Sequence, residues 1–302
     1  MLVVTKVIKF MQASQLHPSI RARLGRFLRF GRNLNGWTRL TNFIVGTPSD
    51  PRFRVRNETG WFEGRTDSVI ERQVYLKGGY EEGFIRAFLT LFPEGKRTCI
   101  VDVGANIGTH SLAFAQIFER VVCFDPSHSA FASLTRNLSL NPGKPITSVN
   151  CGLGDVAETR AFYNIFNGND GLGTFVCDEQ YDKPLEKIAE FPIVRGDDIL
   201  PEILGNDKVI DAIKIDIQGF EPNALIGLRS TLERHRPLVW MEIGQGTHTV
   251  LGGDGDLASL FPYPVDLLEF RTSRNLLVTQ IRLEKRNSIK GLVGDIVVCP
   301  RR

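Results

Sequence analysis

Apolar residues in this chain fall into short β-branched runs that alternate with stretches of helical period. Cys99–Val103, Val121–Phe124, Ile146–Cys151, Ile210–Ile217 and Leu238–Ile243 are bounded by Gly, Pro, Asn or Asp. This is the pattern of strands buried on both faces of a parallel sheet. Between them, Thr109–Phe118, Ser129–Leu140 and Asn223–Glu233 carry the period of packed helices, and Asn141-Pro142-Gly143 stops the second. Upstream, Phe53–Val55 and Val74–Leu76 are expected as short strands around the turn-rich Asn57–Asp67. Glu82–Phe92 follows as a helix ended by Pro93-Glu94-Gly95. After the third core strand come a hairpin-like excursion (Thr159–Tyr163, Gly173–Val176) and a polar stretch. Leu276–Leu283 and Asp295–Cys299 suit an antiparallel C-terminal pair. The alternation predicts an α/β fold, Rossmann-like, with a doubly wound and mostly parallel sheet.

The first core strand runs into a glycine turn and then a helix: IVDVGANIG at 100–108. Strand, tight turn and helix in that order form a nucleotide-binding corner. Gly104 lets backbone approach a ligand, and Gly108 lets the helix pack closely. Asp102, at the strand's carboxyl end, is expected to face the ligand crevice. A dinucleotide fingerprint needs G-x-G-x-x-G, whereas Ala105-Asn106 stand here in place of x-Gly. An acid ahead of such a turn suits a cofactor with an amine, a ribose and no phosphate, which describes S-adenosylmethionine. A second strand, RVVCFDP at 120–126, ends in Asp125, 23 residues beyond Asp102. A carboxylate there is placed to bind ribose hydroxyls. The competing role for Asp125 is capping the helix that starts near His128.

Residues 211–221 read DAIKIDIQGFE. Lys214 and Asp216 share one side of that strand by its period of two. A charge at Lys214 inside a buried strand is costly unless paired, so it is expected to meet Asp216, Asp102 or Glu242. Glu242 ends the fifth strand in the same way. Asp102, Asp216 and Glu242 thus form an acidic rim, with Asp125 beside them. These groups could hold a methionyl amine, complement a sulfonium, or take the proton of an acceptor hydroxyl. Asp216, steadied by Lys214, is the expected base, with Glu242 second. Asp216 and Glu221 also fit turn carboxylates at a helix start. His110 lies in the first turn after the glycine loop, near the expected cofactor site, and reads as a surface helix start. His248 lies in the glycine-rich Gly244–Gly255, a candidate lid, where Asp256 is expected to cap Leu257–Leu260.

Composition narrows the classes. The 302 residues are 24% charged and 42% hydrophobic, as in globular proteins. No apolar run is long enough to span a bilayer, and Met1–Phe10 lacks the features of a signal peptide. Five scattered cysteines without C-x-x-C fit a reducing, cytoplasmic setting and no metal site. The net charge of +3 hides an asymmetry: residues 1–60 carry +9 and residues 61–302 carry −6. This divides the chain into a basic N-terminal segment (1–60) and a catalytic domain (61–302). Within the former, Ser19–Phe30 could form an amphipathic helix. It would dock on an anionic membrane surface or acidic glycan, or pack its apolar stripe on the catalytic domain.

From about Tyr80 to Pro300 the chain resembles the FkbM family of S-adenosylmethionine-dependent methyltransferases. The motifs are IVDVGANIG (100–108), FDP (124–126), NCGLGD (150–155), RGDDIL (195–200), IDAIKIDIQGFE (210–221), RPLVWMEIG (236–244) and DIVVCP (295–300). The resemblance implies a class I methyltransferase fold and O-methylation of sugars, glycolipids or natural-product-like acceptors. It implies that Asp102, Gly104, Ala105 and Asn106 lie around the methionine part of the cofactor and Asp125 at the ribose. Leu153 and Gly154 match the segment lining the adenine, and Lys214, Asp216 and Glu221 match the K-x-D-x-[EQ]-G-x-E run. Asp125 stands where the family usually has Glu, which shortens the reach to the ribose by one methylene. Gln218 stands where Glu is common, which argues against it as an essential base. The rival readings are a nicotinamide dehydrogenase, disfavoured by the missing glycine; a nucleic-acid methyltransferase using the basic arm; and a binding protein with an inactive site.

Overall fold

The structure, a computed structural model, describes residues 51–92, 97–165, 173–176, 185–205, 208–252, 256–274 and 279–301. In chain order the elements are β1 (Arg52–Arg56), β2 (Trp61–Arg65), α1 (Val69–Lys77), α2 (Glu82–Leu89), β3 (Cys99–Val103), α3 (Thr109–Phe114), β4 (Arg120–Phe124) and α4 (His128–Ser139). There follow β5 (Ile146–Val149), β6 (Gly152–Leu153), β7 (Glu158–Ile165), β8 (Gly173–Thr174), β9 (Leu185–Val194), α5 (Gly196–Leu204), β10 (Ala212–Ile215), α6 (Glu221–Gly227) and α7 (Arg229–His235). The chain continues through β11 (Leu238–Ile243), α8 (Gln245–Val250), a 3-10 turn (Leu257–Leu260), β12 (Val265–Arg274), β13 (Thr279–Arg286) and β14 (Gly294–Pro300).

Eight strands form one sheet in the order β13-β12-β14-β11-β10-β3-β4-β5. From β11 to β5 all pairs are parallel, and β14, β12 and β13 add antiparallel neighbours at the other side. Alternate residues of the central strands feed two cores. Val101, Val103, Ile213, Ile215, Val239 and Met241 face one, and Ile100, Ala212 and Trp240 face the other together with Phe88 and Phe114. Both faces are covered, which is why the strands read as unbroken apolar runs. The chain winds from β3 outward through β4 and β5, then returns to the other side of β3 at β10. Open α/β sheets bind ligands at such a reversal of strand order.

Several expectations change. Val74–Leu76 belongs to helix α1, although Val74, Tyr75 and Leu76 are all buried. Val74 packs with Phe62 and Leu112, while Tyr75 and Leu76 pack with Phe53, so a helix buried on two sides imitates a strand run. The turn-rich Asn57–Asp67 contains β2, paired residue for residue with β1, so the division at residue 60 falls inside a hairpin. The third core strand stops at Val149. Asn150 Nδ2 donates to the carbonyls of Asp125 and Pro126 (2.8 and 3.2 Å), turning the chain out of the main sheet into β6. The polar stretch holds β9 and α5; β9 buries only Phe191 and Ile193 and therefore lacks an apolar signature over most of its length. It joins a second sheet, β6-β9-β7-β8, that contains the expected hairpin. At the C-terminus β13 pairs with β12, and β12 in turn with β14, so the two expected tail strands are not neighbours. Asn223–Glu233 is divided into α6 and α7 around Leu228. Ser19–Phe30, Pro93-Glu94-Gly95, Cys177 and Asp254 lie outside the described residues. Among the described residues no helix is long and apolar enough to cross a membrane.

Candidate active site

The turn after β3 is built around one close approach. Gly104 has φ +81°, and a Cβ there would lie within 2.0 Å of the Asp216 carbonyl oxygen. Backbone of the opposite strand end, rather than a ligand alone, therefore demands glycine at this position. The N–H groups of Gly104 and Ala105 both donate to the Phe124 carbonyl (2.9 and 3.0 Å), tying the turn to β4. Asn106 adopts φ +51°, and its N–H donates to Asp125 Oδ2 at 2.8 Å. Gly108 has φ +88°, a left-handed conformation that favours glycine, and a Cβ there would touch the end of the Leu134 side chain of α4.

A pocket opens at this corner, between the carboxyl ends of β3, β4 and β10. Gly104, Ala105, Asn106, Asp125 and Leu153 line it, as do Lys214 and Asp216. Three expected cofactor residues do not. Asp102 is fully buried beneath the turn, where its Oδ2 accepts from Ser111 Oγ at 2.6 Å. Gly108 starts α3 behind the pocket. Gly154 lies against α6, where a Cβ on Gly227 would collide with the Gly154 carbonyl, while a Cβ on Gly154 itself would meet Ile193 of β9 and the Phe220 ring. Glu242 is also absent from the lining.

The two ends of the pocket differ in their electrostatics. At one end, burial pushes Asp125 up to about 6, even though the N–H groups of Asn106 and Ser127 donate to its oxygens (2.8 and 3.0 Å). Cys151, Leu153, Phe162 and Phe175 make the surroundings apolar. At the other end, Lys214 Nζ sits 3.5 Å from Asp102 Oδ1, 3.5 Å from Asp216 Oδ2, and 3.3 Å from the Gly104 carbonyl. Burial alone would lower the lysine, but Asp216 and Asp102 outweigh it and raise its pKa above the ordinary range. Burial would likewise raise Asp216, yet Lys214 and the Gln218 amide hold it below the usual carboxylate range. A lowered pKa weakens Asp216 as a proton acceptor relative to a free carboxylate.

Gln218 joins the acids. At φ +54°, its Nε2 donates to Asp216 Oδ1 at 3.0 Å and to Glu242 Oε2 at 2.8 Å. Burial and the neighbouring Asp216 and Glu221 carboxylates push Glu242 up to about 9, so it is protonated near neutrality. Glu221 braces the turn: its Oε1 accepts from the N–H groups of Ile217 and Gly219 (3.0 and 3.1 Å), and burial raises it to about 7. His248 Nε2 contacts the Leu292 carbonyl at 2.7 Å, and Asp256 caps its turn through Ala258 N–H at 2.9 Å.

Some lining residues carried no signal in the sequence. Phe162 and Phe175 come from the second sheet, whose docking no spacing reveals. Tyr80 comes from the loop before α2. His110, expected at the surface, is buried at 4% exposure, because α3 lies flat against Trp240 of β11. Its position six residues after Gly104 was the one available hint.

A doubly wound α/β sheet with a ligand pocket at its reversal and an acid at the tip of the next strand defines a nucleotide-type binding protein. The Methyltransferase FkbM domain matches residues 102–261, more than half of the chain. The protein belongs to the FkbM methyltransferase family. Among solved structures it is similar to the methyltransferase FkbM from Methylobacillus flagellatus KT, with 20% identity and a TM-score of 0.42, covering 75% of this chain and 52% of that one. The chain thus spans about half the length of that protein. It is also similar to a SAM-dependent methyltransferase from Agrobacterium tumefaciens (10% identity, TM-score 0.44, 83% and 71% covered). A third is the Pyrococcus abyssi tRNA (uracil-54, C5)-methyltransferase in complex with S-adenosyl-L-homocysteine (12%, 0.40, 82% and 44%). No curated protein matches the chain.

Proposed function

We propose that this protein transfers the methyl group of S-adenosylmethionine to a hydroxyl of a sugar, glycolipid or natural-product-like acceptor. Family membership supports the methyl transfer. The observation that carries the binding mode is one pocket with two unlike acids, Asp125 at an apolar end and the Lys214-braced Asp216 at the other. Asp125 retains lone pairs beyond the two backbone donors and would accept both ribose hydroxyls. Leu153, Phe162 and Phe175 offer flat apolar contact for a purine. Asp216, kept anionic, would hold the methionyl amine, and Lys214 neutralises the excess charge without leaving its buried site. The cofactor supplies an electrophilic methyl on a sulfonium; the chain's contribution is to place the acceptor oxygen in line with it.

Calorimetry with S-adenosylmethionine and S-adenosylhomocysteine tests binding. Both should bind, and Asp125→Ala should weaken each by about 1.5–3 kcal/mol, the range for a hydrogen bond to a charged group. Absence of heat with either ligand overturns the reading. Transfer of tritiated methyl to lipid and glycan fractions, with the product linkage identified as an O-methyl ether, tests the acceptor class. An N- or C-methyl product would refute it.

A further inference from the structure

The mechanism needs a group to take the acceptor's proton, and the acidic rim supplies it poorly. Asp216 is held as an anion by Lys214 and Gln218, and Glu242 lies outside the pocket lining. A different pair stands in the pocket wall. His110, in the first turn of α3, lines the pocket while 4% exposed. Its Nε2 sits 3.2 Å from Glu81 Oε2. Glu81 is held at φ +54° immediately before α2, in a left-handed conformation that is strained for a residue other than glycine. Such strain persists only where its surroundings enforce it.

The ring is fixed from several sides. Trp240 and Tyr80 meet it edge to face at 5.4 and 6.0 Å, and Phe114 lies tilted at 6.0 Å. Nearby charges come from Glu81 ahead of α2, from Asp216 after β10 and from Lys214 within β10, which lies in the field of both acids; Asp295 on β14 lies behind them. The Nε2–Glu81 contact is short but off-line, with no fully aligned hydrogen bond, as acid–base pairs without substrate often are. A carboxylate at Nε2 favours the proton on that nitrogen. The lone pair is then on Nδ1, the nitrogen left for a ligand in the pocket.

We propose that His110, oriented by Glu81, is the general base that takes the acceptor hydroxyl's proton, and that the acceptor is seated between His110, Tyr80 and Asp216. This rests on the methyl-transfer reading above. The acceptor oxygen forms its bond to the methyl carbon while the carbon–sulfur electron pair goes to sulfur, turning sulfonium into thioether. The hydroxyl proton passes to Nδ1, and the imidazolium is stabilised by Glu81 before it releases the proton to water. His110 touches the substrate; Glu81 is a positioning residue.

The test begins without an acceptor. Long-range proton–nitrogen spectra of the full chain, with His110 identified by its loss in His110→Asn, should show a neutral ring protonated on Nε2. Glu81→Gln should convert it to a mixture of tautomers. A ring protonated on Nδ1 overturns the proposal. His110→Asn should retain S-adenosylmethionine affinity within about threefold; lost affinity would assign the residue to the cofactor instead. Where Asn at this buried position fails to fold, His110→Gln takes its place. With a methylated acceptor fraction in hand, the variant should lower kcat about 100-fold or more at unchanged KM for S-adenosylmethionine. It should also remove the acid limb of the kcat profile. Unchanged kcat refutes the assignment. A wild-type protein that transfers no methyl to oxygen would count against the methyltransferase reading, while the ring spectra still decide the geometry claimed here.

Discussion

Asp125 and Asp216 follow strands on either side of β3 and line one pocket, Asp125 buried and Asp216 with about 32% of its side chain exposed, yet their charges are handled in opposite ways. Asp125 is met only by backbone N–H groups, and burial pushes it up to about 6. Asp216 is met by a lysine and is held down. Two hydrogen bonds from neutral donors do not offset desolvation here, whereas a full opposite charge at 3.5 Å does. The difference fits two kinds of ligand group: neutral hydroxyls at the Asp125 end and a cation at the Asp216 end.

The largest effect should come from deleting the compensating charge. Lys214→Met leaves the fully buried Asp102 carboxylate without its cation, and breaking a buried pair in this way typically costs about 3–5 kcal/mol. Urea unfolding measures it. A cost below about 1 kcal/mol would mean that Asp216 is stabilised by something other than the lysine.

The second test separates the ends by ligand charge. Asp216→Asn should weaken S-adenosylmethionine more than S-adenosylhomocysteine, by about 1.5–3 kcal/mol for the former, since the sulfonium adds a positive charge. Asp125→Ala should weaken both equally, because they share the ribose. Equal losses for Asp216→Asn in calorimetry would remove the electrostatic distinction.

The smallest effect is one of pH. Asp125 is raised in the folded protein, so between about 4 and 6 the folded state retains a proton that the unfolded chain has released. Its contribution to stability therefore falls as pH rises through that window, and so does that of Asp295, likewise pushed up to about 6 by burial. Ribose hydroxyls donate best to the ionised form. Affinity for S-adenosylhomocysteine should thus rise about tenfold from pH 5 to 7.5 and then level off. Asp125→Asn should flatten the curve. Asp216, already ionised throughout, should contribute no slope there, and a slope that persists in Asp125→Asn would point to another group.

The parallel strands, the glycine turn and the Lys214–Asp216 pair were legible along the chain. Each is encoded locally: β3 and β11 have the expected residue boundaries, and period two puts Lys214 and Asp216 on one side. Asp102 was legible as a partner for Lys214 but not as a residue sealed beneath the turn, because no spacing shows that Ser111 covers its other oxygen. Strands β9 and β12 were hidden, the first because its exposed positions carry no apolar alternation. Helix α1 reads as a strand in the sequence because two separate cores bury its consecutive residues.

By itself, then, the sequence determined the winding of the parallel sheet and the family, since these depend on short motifs and on which residues avoid water. Tertiary structure alone decided which acids face the pocket, which are neutralised, and that His110 meets Glu81. Those outcomes depend on burial and on distances between residues far apart in the chain. A few ångströms separate a permanent anion from a proton-binding acid, and no local pattern records them.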